Sequence, residues 1–140
     1  RPQLEHHVFT LTASDTLENL TYLVENLPEV SFHIAAKTNV SDRLEAFKKY
    51  DNVTLYTNVH HDDIIEDLLD QSEIYLDINH WDQVDSIVDR AFEKGKPVFA
   101  FDNVVHRAEL GASVFSHQDP EMMVKEIQRQ LFGIAVDTVN

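Results

Sequence analysis

The sequence predicts an α/β protein, a three-layer doubly wound parallel sheet of about six strands with Rossmann-like architecture. Two observations carry this. Short apolar runs of strand length alternate along the chain with segments whose apolar residues recur at helical spacing, and the connections between them are only a few residues long. The clearest instance is Ser72 to Asp102: Ile74, Tyr75, Leu76 and Ile78 read as a buried strand, Asn79-His80-Trp81-Asp82 as a polar corner, and Val84, Ile87, Val88, Ala91 and Phe92 as a helix stripe. Gly95 stands where a C-cap is expected, and Pro97 opens a second apolar run, Val98 to Phe101. A right-handed crossover makes these two strands parallel, so Asn79 to Asp82 and Asp102-Asn103 share the rim where open α/β sheets bind ligands.

In order along the chain, His7 to Leu11 makes the first strand. Ser14 or Asp15 is the candidate N-cap of a helix with Leu17, Leu20, Leu23, Val24 and Leu27 as its core stripe, ended by Pro28. Val30, Phe32, Ile34 and Ala35 give the second strand. Ser41 heads a short helix burying Leu44 and Phe47, and Asp51-Asn52 turns into a third strand, Val53 to Tyr56. Ile64, Ile65, Leu68 and Leu69 mark an acidic amphipathic helix leading to the Ser72 strand. After the central unit come a loop or helical turn, an edge strand at Ala112 to Phe115, and a last helix opened by Pro120 and ended by Gly133. The expected strand order is 3-2-1-4-5-6, within one domain covering residues 1–140.

With 140 residues, 43% of them hydrophobic, the chain is long enough for one core. A net charge of −14 with scattered Lys and Arg argues against a nucleic-acid partner. No apolar run is long enough to span a membrane. The absence of cysteine excludes disulfides and thiolate metal sites and favours a reducing compartment, so a cytoplasmic setting is expected, with peripheral association at the membrane left open. The chain starts at Arg1 without a methionine, which suggests a piece of something longer.

Only three glycines are present and none follows the first strand, so there is neither a dinucleotide fingerprint nor a Walker-type loop. Paired acids at the first strand's end, which would hold magnesium, are missing, and Asp77 reads as lying inside a strand rather than at its tip. His60-His61-Asp62-Asp63 has metal-ligand residue types, but neighbours at a helix start point in different directions, so dipole-favouring acids and half-exposed histidines are the better reading and no metal is expected. His33, between Phe32 and Ile34, reads as a sheet-face residue with a hydrogen-bond partner. Glu66, Asp67 and Asp70 read as a solvated face. His80 and Trp81 leave two readings open. They bind phosphate or sugar beside free helix N–H groups, or Trp81 packs over the sheet end and His80 caps it.

The stretch from Asp70 through Ile78, the polar corner, and Ala91-Phe-Glu-Lys-Gly-Lys-Pro-Val-Phe-Ala-Phe-Asp102 together resemble the donor-binding C-terminal half of GT-B-fold glycosyltransferases. Tyr75-Leu-Asp-Ile-Asn-His80 and Leu11-Thr-Ala-Ser-Asp-Thr-Leu-Glu-Asn-Leu20 are similar to one branch, the bacterial glycosyltransferases of the accessory Sec system and serine-rich-repeat adhesins. The resemblance implies a missing N-terminal Rossmann-like domain and a nucleotide-sugar donor, UDP-linked, bound without a cofactor. It implies Asn58 and Val59 near the base, and Ser14 with Asn79, His80, Trp81, Asp82 and Gln83 near phosphates and sugar. The spacing of two acids common in retaining members falls on Asp82 and Arg90, so the second acid is replaced by a cation. Two functions follow as expectations. One is the nucleotide-sugar-binding domain of a hexosyltransferase acting on a protein or glycan acceptor. The other is a non-catalytic co-transferase or chaperone subunit that works with a second glycosyltransferase and binds a Ser/Thr-rich protein acceptor.

Overall fold

The structure is a computed structural model and describes residues 4–133. Six parallel strands, β1 (His6–Leu11), β2 (Val30–Ala35), β3 (Val53–Tyr56), β4 (Ile74–Asp77), β5 (Val98–Phe101) and β6 (Ser113–Phe115), form one sheet in the order β3-β2-β1-β4-β5-β6, as the sequence predicts. Among the described residues five α-helices connect or flank them: α1 (Leu20–Asn26), α2 (Asp42–Glu45), α3 (Asp62–Gln71), α4 (Ile87–Glu93) and α5 (Glu121–Phe132).

The strands are apolar on both faces because both faces are covered. Val8, Phe32, Ile34, Ile74, Leu76 and Phe99 project to one side, against Leu20, Leu23 and Val24 of α1, Leu44 of α2 and Met123 and Ile127 of α5. Phe9, Leu11, Ala35, Tyr75 and Val98 project to the other, against Ile65, Leu68 and Leu69 of α3 and Ile87, Val88 and Ala91 of α4. Right-handed crossovers dictate this division. The chain moves outward one way from β1 to β3 and the opposite way from β4 to β6, so the connecting helices fall on opposite faces and the direction reverses between β1 and β4.

Two helices start later than their apolar stripes suggest. The predicted N-cap at Ser14 or Asp15 is corrected to Asn19, which takes a left-handed conformation (φ 57°). Thr12 and Ser14 instead spend their hydroxyls on local turns: Thr12 Oγ1 accepts from the Ser14 N–H (2.9 Å) and Ser14 Oγ accepts from the Thr16 N–H (2.9 Å). Likewise α4 begins at Ile87, because Asp85 and Ser86 have φ of 52° and 55° and interrupt the helix that Val84 opens. The end of α1 is secured by Asn52, a buried amide that donates to the Val24 and Leu27 carbonyls at 3.1 and 3.0 Å.

His33 has the partner its position predicts, and more than one. Its Nε2 lies 2.9 Å from His7 Nδ1 and its Nδ1 lies 2.8 Å from the Tyr56 hydroxyl, forming a polar chain across β1, β2 and β3. Burial, followed by the neighbouring His7, pushes the His33 imidazole down from 6.5 to about 4. The unfolded chain therefore binds a proton that the folded one refuses, and stability is full above about pH 6.5 and falls as the pH drops toward 4. Urea unfolding should show a loss of as much as about 3 kcal/mol over that window, and His33→Gln should remove most of this dependence. An acid profile identical in the variant and the wild type would contradict the assignment.

Candidate functional site

The loops after β1 and β4 meet at the point where strand order reverses, and they are joined to each other there. Leu17 and Asn79 form an isolated antiparallel bridge, the Glu18 N–H donates to the Ile78 carbonyl (2.8 Å) and the His80 N–H to the Thr16 carbonyl (3.3 Å). The crevice expected between β1 and β4 is thus partly closed by backbone pairing.

Asp77 lies within β4, as the sequence predicts, but as its last residue, at the strand tip. Its carboxylate is buried, and a buried charge needs partners. The chain between β5 and β6 supplies them: His106 donates its backbone N–H to Asp77 Oδ2 (2.8 Å) and places Nδ1 2.6 Å from Oδ1. The other ring nitrogen, Nε2, lies 2.5 Å from the carbonyl oxygen of Trp81. Burial raises the Asp77 carboxyl above the ordinary carboxylate range, with the contacts to His106 opposing that rise. Asp77 had a signal in the sequence, an acid between Leu76 and Ile78 in an apolar run that must be buried. His106, in a stretch without periodicity, had none.

The corner residues are placed as follows. Asn79 is buried and its Oδ1 accepts from the Trp81 N–H (2.8 Å), shaping the turn. His80 Nε2 is 2.7 Å from Glu18 Oε1, which also accepts from the Asn103 amide (3.1 Å). Trp81 is 66% exposed, so its ring does not pack over the sheet end. Asp82 is exposed. Gln83 Oε1 accepts from the backbone N–H groups of Val88 (2.8 Å) and Asp89 (3.4 Å), occupying the first amides of α4. Lys37, from the loop after β2, reaches Asp85 at 2.5 Å.

Ser14 and Trp81 come together in an open cleft of about 390 Å³, whose other lining residues include Asp15, Thr16, Asn39 and Ser41. Asn58, in a left-handed conformation, touches this group through Asn39, its Nδ2 donating to Asn39 Oδ1 (2.6 Å). Val59 turns its side chain into the core beside α3 and leaves only its backbone toward the rim. Arg90 points at α3, where it pairs with Glu66 (2.5 Å) and Asp62 (3.2 Å), while Lys94 pairs with Glu66 and Asp70. The acidic face of α3 is therefore an inter-helix staple as well as a solvated surface. Lys94 and Arg90 hold the Glu66 carboxyl below its ordinary range.

This sheet order is Rossmann-like, and the fold matches that of solved GT-B glycosyltransferases. The chain belongs to the GftB/GlyA-F C-terminal domain family, whose sequence pattern matches residues 8–134. It is 42% identical over 128 residues to the UDP-N-acetylglucosamine–peptide N-acetylglucosaminyltransferase stabilizing protein GtfB of Streptococcus agalactiae, covering 90% of this chain and 28% of that protein. It is 40% identical over 127 residues to the glycosyltransferase GlyB of Streptococcus pneumoniae, covering 91% and 31%. Among solved structures, a chain of the GtfA/B complex bound to UDP and GlcNAc superposes with a TM-score of 0.82 at 35% identity, covering 94% of this chain and 30% of that one. The chain thus spans under a third of the length of these relatives.

The role of Gln83 at the start of α4 is open to a direct check. Gln83→Ala should cost about 0.5–2 kcal/mol in urea unfolding, as loss of a helix cap does. An unchanged midpoint would mean that the Val88 and Asp89 amides do not depend on Gln83 and are free for a ligand.

Proposed function

We propose that this domain is the donor-like half of a non-catalytic co-transferase subunit, which stabilises a second glycosyltransferase and holds a Ser/Thr-rich protein acceptor for it. The observation that carries the reading is the internal commitment of the groups that would take a diphosphate. His80 is bound to Glu18, the first α4 amides to Gln83, Lys37 to Asp85, and Arg90 to Glu66. A diphosphate at this rim would have to displace these contacts and would meet Asp15, Glu18 and Asp82, whose charge opposes it. The relative named as a stabilizing protein, and the structure of a two-protein complex, support a second glycosyltransferase as partner. A preceding Rossmann-like domain in a longer protein is part of the proposal, since this chain covers so little of its relatives. Among the described residues no helix is long and apolar enough to cross a membrane. The cytoplasmic setting that belongs to this proposal is supported by the cysteine-free sequence, which suits a reducing compartment.

A second reading, the donor domain of an active transferase, is favoured by the exposed Trp81 ring, which stands beside Ser14 and Asp15 in the rim cleft and suits stacking on a sugar or base. Similarity to the glycosyltransferase GlyB points the same way. Asp82→Asn in the full-length protein separates the two. Sugar transfer to a peptide by the reconstituted pair should stay within about twofold of wild type, whereas a catalytic carboxylate would cost on the order of 10²–10⁴-fold. In the same system, omitting this subunit should lower the soluble yield of the partner transferase. A large loss from Asp82→Asn, or a partner whose yield and activity ignore this subunit, would overturn the proposal.

A further inference from the structure

We infer that His106 is the positioning residue of the Trp81 corner, and that the corner is held only while Asp77 and His106 keep a proton between them, making it a pH-sensitive latch. That the corner serves a ligand rests on the proposed function; the latch itself rests on geometry alone.

The argument is a proton count. Both ring nitrogens of His106 face oxygen acceptors at hydrogen-bond distance, Asp77 Oδ1 at 2.6 Å and the Trp81 carbonyl at 2.5 Å. A neutral imidazole carries a single N–H and can satisfy only one of them. Both contacts are made at once in two proton arrangements: an imidazolium beside a carboxylate, or a protonated Asp77 donating to Nδ1 while Nε2–H donates to Trp81. Either arrangement holds one proton more than a carboxylate plus a neutral imidazole, and the proton belongs to the pair. Desolvation of Asp77 favours keeping it. When it leaves, Nδ1–H stays with the carboxylate, where the charge is, and the Nε2 lone pair is left facing the carbonyl oxygen of Trp81. Two acceptors at that distance repel, so the Trp81 backbone is released.

No other contact substitutes fully. The Trp81 N–H remains on Asn79, which fixes one side of the peptide but not its carbonyl. The other charged groups on the segments that meet here have their own partners or lie exposed. Arg107 is held by Asp89 of α4 (2.5 Å) and Glu109 (2.6 Å), Glu18 by His80 and Asn103, Asp85 by Lys37, and Asp82 is exposed. Two other histidines pair with acids on this rim, His80 with Glu18 and His117 with Asp102, and both are separable by mutation.

The sequence contains a single tryptophan, so the corner reports on itself without a ligand. Fluorescence anisotropy of Trp81, followed as the pH is raised through about 5 to 8, should fall in a sigmoidal step as the latch opens. His80→Gln should keep the step. His106→Gln should lose it and sit at the low, alkaline plateau at every pH. Asp77→Asn brings its own N–H, which can donate to Nδ1 while its Oδ1 accepts from the His106 backbone N–H and leaves Nε2–H on the Trp81 carbonyl in a neutral ring. It should therefore hold the anisotropy at the high plateau with no step, and this variant decides the matter if His106→Gln does not fold. A flat wild-type profile, a step that survives in His106→Gln, or one that survives in Asp77→Asn overturns the latch. Because no nucleotide, acceptor or partner takes part, its failure is distinguishable from failure of the proposed function.

Discussion

The buried carboxylate of Asp77 is the constraint on which the rim of this domain depends. It sits at the end of β4, one of the two central strands, where water cannot solvate it and an unpaired charge would be prohibitive. Pairing it draws the segment after β5 back across the sheet edge to bring in His106, and the far side of that ring then fixes the Trp81 carbonyl. One buried acid therefore sets the paths of two rim loops and the presentation of an exposed indole. In the loop between β4 and α4, Trp81 is the large apolar side chain left in solvent.

The second organising feature is the mutual pairing of the loops after β1 and β4. In a doubly wound sheet their divergence opens a crevice for a ligand. Here the Leu17–Asn79 bridge, the Glu18–Ile78 hydrogen bond and the Glu18–His80 side-chain contact draw them together. Lys37 and the first α4 amides are bound to an acid and a glutamine of the same chain, which lowers what a phosphate could gain by displacing them, while Arg43 donates to the Thr16 hydroxyl (3.1 Å). A cleft between Ser14, Asn39 and Trp81 remains open, with hydroxyls, an amide, a carboxylate and a ring. That set suits a neutral hydroxyl-rich partner better than a polyanion, and it fits a domain that keeps a transferase fold while serving as a scaffold.

The fold was legible because its signals are local. Apolar runs of four to six residues, helical stripes and the Gly95-Lys96-Pro97 turn each report on a few neighbours, and together they specified the strand order. The starts of α1 and α4 were not legible, since Asn19, Asp85 and Ser86 adopt left-handed backbone conformations that residue type alone does not announce. For the candidate site, the sequence pointed to the corner and to the residue types there, but not to what each one binds. Glu18 and His80 are 62 positions apart and Asp77 and His106 are 29 apart, and no periodicity links such pairs. Arg90 shows the same gap. As a sequence position it stands where a second acid is expected; in three dimensions it is half of a staple between α3 and α4.

The most direct measurement of the central claim, that the diphosphate-binding groups of this rim are already committed within the chain, is a calorimetric titration of this chain and of the full-length protein with UDP and UDP-N-acetylglucosamine, with and without magnesium. No saturable heat at millimolar nucleotide is the predicted result. Saturable binding by the wild type that is lost in Trp81→Ala would contradict it and make this corner a donor site.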